Sequence, residues 1–520
     1  MGENSTTLSS VLNVPTGIIK EELEGLYGSS VLQDMYNIIS LYDVYDHGAA
    51  FPVEPSKDYK PADLRYKAAK ILLNKEARFL FSKPPDFFVD TPVSDKKEES
   101  DRNKEASSVY KQLIDLVLKK NQFSSALMKA VKDCFIGKRV ALMFNINEDR
   151  GIQVSFLPSL EFVYDVDPND ANVLTKIVVF YNLNTAKAKQ DQRIYKKKYW
   201  LEDGYAHYSE AIYDGTGKPL EVIEENTTTL FEFIPAWVIV NDGLTGDLMG
   251  CSEIEDLQEH EGWFSKMSSA DLDAERKGMN PIRYTIDASP ESTKNLSIAA
   301  GAFWDLASDP NQPQDHPAQV GVMDTPMSYS PALGITLDRI KQHMYELVSV
   351  PNVSPEAMKG VVTSGKTLKA IYWDLIVRCD EKMLAWRPAL EFLGSCIIKG
   401  VQLYPKAGAR YLEELGMTLP DVPYEIRVDN QYSLPEDEVE EKQVDLAEVT
   451  AQTMSRKAYM KKWRQLTDEE ADEELKQIAL ERELLEDSYT ANLAPGEEVP
   501  TEENPPEEDV EQPEEEGAEE

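Results

Sequence analysis

FIPAWVIVNDGLTGDLMGCSEIEDLQ, residues 233–258, is where the chain changes secondary-structure class. The opening FIPAWVIV is apolar and β-branched, a strand signature, and NDGLTGDLMG that follows is rich in turn residues. Ser252-Glu253-Ile254-Glu255 then has capping-box spacing, in which a serine oxygen and a glutamate satisfy free amides at a helix start. This predicts a helix from Ser252 to about Lys277, ended by Pro281.

Upstream, VALMFNI (140–146), GIQVSFL (151–157), KIVVFYN (176–182), RIYKKKYW (193–200) and YAHYSEAIY (205–213) are short β-rich runs. With turn residues at 203–204 and 214–217 they predict an antiparallel sheet region over 140–240. Residues 18–50 carry mixed helical signals. The spacing of Leu64, Ala68, Ile71, Leu72 and Phe79 predicts an amphipathic helix over 63–81, stopped by Lys83-Pro84-Pro85. Residues 94–104 are charged and read as a loop, and helical spacing returns over 109–131 before Gly137 breaks it.

Downstream, 280–330 reads as a compact insert with turns at Pro310, Pro313 and Pro317. A second helix follows, with Leu333, Leu337, Ile340, Met344 and Leu347 forming a seam suited to another helix. SVPNVSPEAMKGVVTSG (349–365) is a proline-glycine loop. After it, Leu368, Ile371, Leu375, Cys379, Met383, Trp386, Leu390, Leu393 and Ile397 keep helical spacing, with a kink predicted at Pro388. Residues 436–487 read as charged helices with Ser455 and Thr467 as caps, and the acidic, proline-rich 491–520 as disordered.

The 520 residues are 42% hydrophobic and 28% charged, which suits a chain that buries a core. The net charge of −39 disfavours nonspecific phosphate binding, which needs clustered Lys and Arg. Only part of it is local, since residues 491–520 hold 13 acids and no Lys or Arg. Cys134, Cys251, Cys379 and Cys396 form no CxxC pair, so a reduced, intracellular setting is expected, without disulfide framework or zinc ribbon. The polar start lacks a secretory signal and no run reaches membrane-spanning length, so neither secretion nor membrane insertion is expected. Met1-Gly2-Glu3-Asn4-Ser5-Thr6 fits the short myristoylation pattern, which arises often by chance.

For chemistry, the fullest motif match is Gly360-Val361-Val362-Thr363-Ser364-Gly365-Lys366-Thr367, the P-loop pattern G-x-x-x-x-G-K-[ST]. Taken alone it predicts a nucleotide-binding ATPase, the alternative reading of this chain. A P-loop needs an apolar strand directly before its first glycine, and PNVSPEAMK cannot be one, so Ser364 reads as a helix cap. Asp165, Asp167, Asn169 and Asp170 begin like a calcium loop, but Asp170 and Lys176 stand where glycine and glutamate belong, leaving a turn between strands. His260-Glu261 has no second histidine four residues on, and no GxSxG elbow exists. No catalytic residue, metal site or cofactor is assigned, and an enzyme is not expected. Arg193, Lys196, Lys197 and Lys198 lie among Tyr195, Tyr199 and Trp200, a pattern compatible with nucleic acid but read as a solvated sheet face.

The order of these elements resembles the portal proteins of tailed bacteriophages, the head-to-tail connectors. Residues 233–258 are similar to the family's strand ending in "iPv", its loop and its "G-x-S-[DE]-[IL]" helix start. VPNVSPEAMKGVVTSGKTLKAIYWDL (350–375) resembles its tunnel loop and "SG-x-A-L", with Thr367 where Ala is usual; residues 428–483 resemble its "LP-x-[DN]-E" segment, "[IM]-S-x-x" turn and acidic helix. Residues 159–182 and 193–208 fit its wing. The resemblance implies an α+β portal fold: an N-terminal arm (1–50), a mixed α/β wing (51–251, with the long kinked helix and return strands of 364–435) and stem helices (252–279, 331–348). It further implies a small α/β clip (280–330), a tunnel loop (349–363), a helical crown (436–490) and a disordered acidic tail (491–520). The family forms rings, commonly of twelve, at one capsid vertex of the virion after assembly in the bacterial cytoplasm. Double-stranded DNA passes through during packaging and ejection; the partners implied are the terminase large subunit, major capsid and scaffold proteins and a head-completion adaptor, with no membrane. It places Val353, Met358 and Lys359 in the DNA-tunnel loop, and Phe303, Trp304 and Asp305 in the clip as subunit or terminase contacts. An acidic body suits passage, because a conduit lined with Lys and Arg would hold phosphates.

Overall fold

The computed structural model describes Ile18, Glu22 and residues 30–491, except 54–58, 93–95, 187, 245, 280–281, 295, 297–303, 312–316, 324–326, 354–368, 433–437 and 465. Two units are distinguished, Met1–Leu434 and Pro435–Glu520.

The first unit opens with helices Ser30–His47 (α1) and Ala68–Leu80 (α2), strand Asp86–Asp90 (β1), and helices Lys97–Lys120 (α3) and Phe123–Gly137 (α4). The helix predicted over 63–81 starts only at Ala68. Lys67 sits at φ +49°, and the amides of Ala62 and Leu64 are taken by side chains of Asp273 and Ser269 instead of by a helical turn. Residues 94–104, expected as a loop, are helical from Lys97. Their charges form the outer side of a helix whose Ala106, Val109, Tyr110 and Leu113 are buried, and Glu98 and Glu99 suit the positive end of its dipole. The helix expected over 109–131 is two, broken where Gln122 adopts φ +49°.

Strands Arg139–Asn147 (β2), Gly151–Pro158 (β3), Phe162–Val166 (β4), Leu174–Asn182 (β5), Ile194–Glu202 (β6), Tyr205–Tyr213 (β7), Pro219–Thr228 (β8) and Ala236–Val240 (β9) make up the sheet region. Every described pairing is antiparallel, as expected, but the strands divide into two sheets, ordered β3-β2-β9 and β4-β5-β6-β7-β8. β8 was not among the predicted runs; its residues face water nearly throughout, so no apolar alternation marks it.

Period-2 alternation explains the two cores. Val140, Leu142 and Phe144 of β2 join the larger core, whereas Ala141 and Met143 point the other way into a smaller one. β5 does the same, with Val178 and Phe180 on one side and Ile177 and Val179 on the other. Both strands are therefore buried on two faces, which accounts for their unbroken apolar runs.

After β9 come helix Glu253–Met279 (α5), strand Ile282–Ile286 (β10), a single helical turn at Pro290–Thr293, strand Gln319–Met323 (β11) and helix Ser330–Leu347 (α6). β10 and β11 form a two-stranded antiparallel ribbon, and α5 packs on α6. Helix Trp373–Leu403 (α7) follows and runs through Pro388. Its buried Leu375, Cys379, Met383, Trp386, Leu390, Leu393 and Ile397 are the stripe the spacing predicted. Helix Pro405–Leu415 (α8) and strand Glu425–Asp429 (β12), paired with β1, close the unit.

The second unit holds helices Glu438–Thr450 (α9), Arg456–Arg464 (α10) and Asp468–Ala491 (α11). Both predicted caps form: Ser455 Oγ accepts from the Ala458 amide at 3.1 Å, and Thr467 and Glu470 cap each other reciprocally at 3.3 and 2.9 Å. The predicted disordered tail lies outside the described residues apart from Ala491.

Candidate functional site

The turn before α5 is fixed by Gly250, at φ +75°, where a Cβ would lie 2.7 Å from the carbonyl oxygens of both Asn241 and Lys138. The capping box then forms as predicted. Ser252 Oγ accepts from the Ile254 amide and donates to the Phe135 carbonyl, while Glu255 accepts from the Ser252 amide.

Between these caps, Glu253 turns inward to a buried ionic cluster. Lys382 Nζ, on α7, donates to Glu253 at 2.5 Å, Asp242 at 2.8 Å and Asn241 Oδ1 at 3.0 Å. Arg378, one turn earlier, donates to Glu76 of α2 at 2.9 Å and also to Glu253. Three carboxylates thus face two cations. Burial and the neighbouring Glu253 push the Glu76 carboxyl up; burial would raise Glu253 as well, but Lys382 and Arg378 outweigh it and hold it down. The cluster ties together α2, the turn after β9, the α5 start and α7.

The same helix grips a strap of chain. Glu261, fully buried, accepts the Ala49 amide at 3.1 Å and the Ala69 amide at 2.8 Å; Ser269 accepts from Leu64, and Asp273 from Ala62. Residues 261, 269 and 273 share one helix face, so a row of side-chain acceptors replaces the missing strand or helix partners of the strap.

Beyond Ser269 the burial stops. Among the described residues from 270 to 343 none is buried, although α5 alone has 27 residues, roughly 40 Å at 1.5 Å per residue. Leu272, Met279, Tyr284, Ile286, Val320, Val322, Met323 and Ile335 are all exposed, Met279 at 77% and Ile335 at 69%. The outer half of α5, the facing half of α6 and the β10–β11 ribbon form a stalk with no core of its own. His260 of α5 and His343 of α6 meet edge to face at 4.9 Å at its base.

Of the site residues expected from the resemblance, Val353, Trp304 and Asp305 are among the described residues. Val353 is half-buried and, with Val350, Pro351, Phe79, Tyr372 and Leu375, lines a 330 Å³ pocket bordered by Lys75 and Arg78. Met358, Lys359 and Phe303 lie outside the described residues, as does the P-loop-like stretch 360–367. Trp304 is half-buried with the Arg283 guanidinium over its ring at 5.5 Å, and Asp305 is exposed.

The lysines of β6 do not form the solvated face expected of them. Lys196 and Lys198 converge with Lys176 on the carboxylate of Glu22, at 2.9, 3.0 and 3.8 Å, and Lys197, on the opposite face, pairs with Glu210 at 3.6 Å. Burial would raise Glu22, but Lys196 and Lys198 outweigh it and lower its pKa. A depressed carboxyl contributes stability that is present above its unfolded value and lost as pH falls through the folded one. Glu22→Gln should therefore loosen the contact of Glu22 with the sheet by about 2 kcal/mol at pH 7, a difference that shrinks at acid pH as the wild-type carboxyl takes up its proton. Amide exchange across 176–198 at neutral and acid pH checks this.

The residues missed in the sequence, Glu76, Asp242, Glu253, Glu261, Arg378 and Lys382, carried no visible signal beyond the helix-start position of Glu253 among 93 acids. Among the described residues no three His, Cys, Asp or Glu side chains are placed to hold a metal ion, and no helix is long and apolar enough to cross a membrane. Burial pushes the thiols of Cys134, Cys379 and Cys396 well above the ordinary range, away from nucleophilic use.

Residues 31–485 match the family described as phage portal protein, SPP1 Gp6-like. Among solved structures, the chain is similar to one in the neck of an empty GTA particle computed with C6 symmetry, at 10% identity and a TM-score of 0.37, covering 76% of this chain and 87% of that one. A chain in the neck of a native GTA particle computed with C12 symmetry gives 12% and 0.38 over 80% and 95%. A third, in the virion of a native gene transfer agent particle, gives 11% and 0.36 over 82% and 97%. No curated protein matches the chain.

Proposed function

Since the chain belongs to the SPP1 Gp6-like phage portal protein family, we propose that copies of it close into a ring at one capsid vertex and form the conduit for double-stranded DNA. The family is structural, not enzymatic. The observation that carries the ring is the coreless stalk: over residues 270–343 no described side chain is buried, yet nine large apolar ones are exposed. A two-helix stalk and a two-stranded ribbon gain no independent stability in water, and contiguous apolar surface marks an interface. Neighbouring copies side by side would cover it.

The reading assigns α5 and α6 to the stem, 280–330 to the clip, where the terminase large subunit and later a head-completion adaptor would dock, and 349–363 to the tunnel loop. Twelve copies, contact with major capsid and scaffold proteins, and assembly in the bacterial cytoplasm before incorporation in the virion belong to the same reading. Net charge favours passage of DNA over retention. Ile335→Asp with Val322→Asp, both at exposed positions, should leave subunit folding within about 0.5 kcal/mol of wild type but yield particles without DNA. Genome content of purified particles and a urea melt of the subunit check the two halves. Lys359→Ala should package DNA but retain full-length genomes less well; wild-type retention would remove Lys359 from the DNA contact.

A further inference from the structure

Strand β8 ends the five-stranded sheet, and no described element pairs with its outer edge. Natural edges are usually blunted by charge, proline or bulges, and β8 carries Pro219, register shifts against β7 and Asn226 at φ +51°, yet it also shows an apolar cluster. Here Leu220, Val222 and Ile223 stand exposed together, Val222 at 58%, on a strand exposed along nearly its whole length. Its charges are all of one sign: Glu221, Glu224 and Glu225, and no Lys or Arg occurs between Lys218 and Lys266. Glu224 lies directly opposite Glu210 of β7 in the ladder, a like-charge pairing that costs stability. Lys197 already serves Glu210, while Glu221 and Glu225 have no ion pair among the described residues.

A cavity of 730 Å³ lies inward of β8, between the face of the five-stranded sheet and β2–β3; Ile223 and Glu224 reach it, and Arg150 and Lys197 are in its lining.

We propose that the β8 edge receives an extended, lysine- or arginine-bearing segment of another protein, which adds as a sixth strand. Main-chain hydrogen bonds to β8 would give affinity, and alternate side chains beside the exposed Leu220, Val222 and Ile223 would give selectivity. Basic residues on the incoming strand meet Glu221, Glu224 and Glu225, and relieve the Glu210–Glu224 opposition. A second copy of this chain is the poorer occupant, because it is itself strongly acidic. The surface is separate from the stalk, so it stands or falls independently of the conduit.

The test uses the full chain and an end-blocked, fluorescent peptide alternating valine with lysine, against its valine–glutamate counterpart. Saturable binding of the lysine peptide is expected, with amide-exchange protection confined to 219–228 and no binding of the glutamate peptide. Binding should weaken at least tenfold in the triple variant Glu221→Lys, Val222→Lys, Glu225→Lys; all three side chains are exposed, and an unchanged circular dichroism spectrum and thermal transition verify the fold. Absence of saturable binding, equal binding of both peptides, protection elsewhere, or an unaffected triple variant overturns the proposal. So does a Val222→Cys chain that forms disulfides between its own copies, which would make the edge a copy-to-copy interface.

Discussion

Lys382→Met should destabilise the first unit by about 3–5 kcal/mol at pH 7, because truncating one partner of a buried ionic cluster leaves the others desolvated and uncompensated. Lys382 is 2% exposed and is the shared donor to Glu253, Asp242 and Asn241. Arg378 cannot substitute, since its guanidinium is already divided between Glu76 and Glu253. The sign of the pH dependence follows from the same geometry. In wild type, Lys382 and Arg378 hold the Glu253 carboxyl below its unfolded value, so its contribution is present above that value and lost as pH falls through the folded one. Without Lys382 that support shrinks, and the deficit should be largest near neutrality and narrow below about pH 4.5. Adding Glu253→Gln to Lys382→Met should recover part of the loss, because both charges then leave together. Urea unfolding followed by the buried Trp386 reads all three; additive losses would deny that the pair is coupled.

Glu261→Ala is the second large effect, about 3–5 kcal/mol. The side chain accepts from two amides 20 residues apart, those of Ala49 and Ala69, and hydrogen bonds to a charged group are worth about 1.5–3 kcal/mol each. Glu261→Gln keeps one acceptor oxygen and should lose roughly half as much. Burial raises the Glu261 carboxyl while the amides of Ala69 and Ala49 pull it back, so the glutamine variant also tests how much of the anchor depends on charge. Faster proteolysis between 48 and 68 is the accompanying local signal.

The fold was legible wherever one residue pattern had one solution. The apolar stripe from Leu375 to Ile397 could only be a buried helix face, and the serines and threonine expected as caps, Ser252, Ser455 and Thr467, all cap. Element boundaries failed where tertiary contacts outbid local preference. Residues 63–67 have helical spacing, yet Asp273 and Ser269 take the backbone amides a first turn would use; residues 97–104 look like a polar loop because the buried side of α3 begins only at Asn103 and Ala106. The site was less legible than the fold. Glu76, Glu253 and Lys382 come from three distant stretches of an acid-rich chain, and nothing local distinguishes them from solvated charges. The lysines of β6 were misjudged for the converse reason, since their partner Glu22 lies far away in sequence.

The central claim is that the chain acts as a ring with the stalk buried between copies. Native mass spectrometry of the purified protein, paired with class averages of negatively stained particles, tests it most directly. A closed ring of about a dozen subunits around a central hole, lost in the Ile335→Asp, Val322→Asp chain, is the predicted result. A wild-type chain that remains monomeric or dimeric even with capsid and scaffold proteins present, or a ring indifferent to those two substitutions, would contradict it.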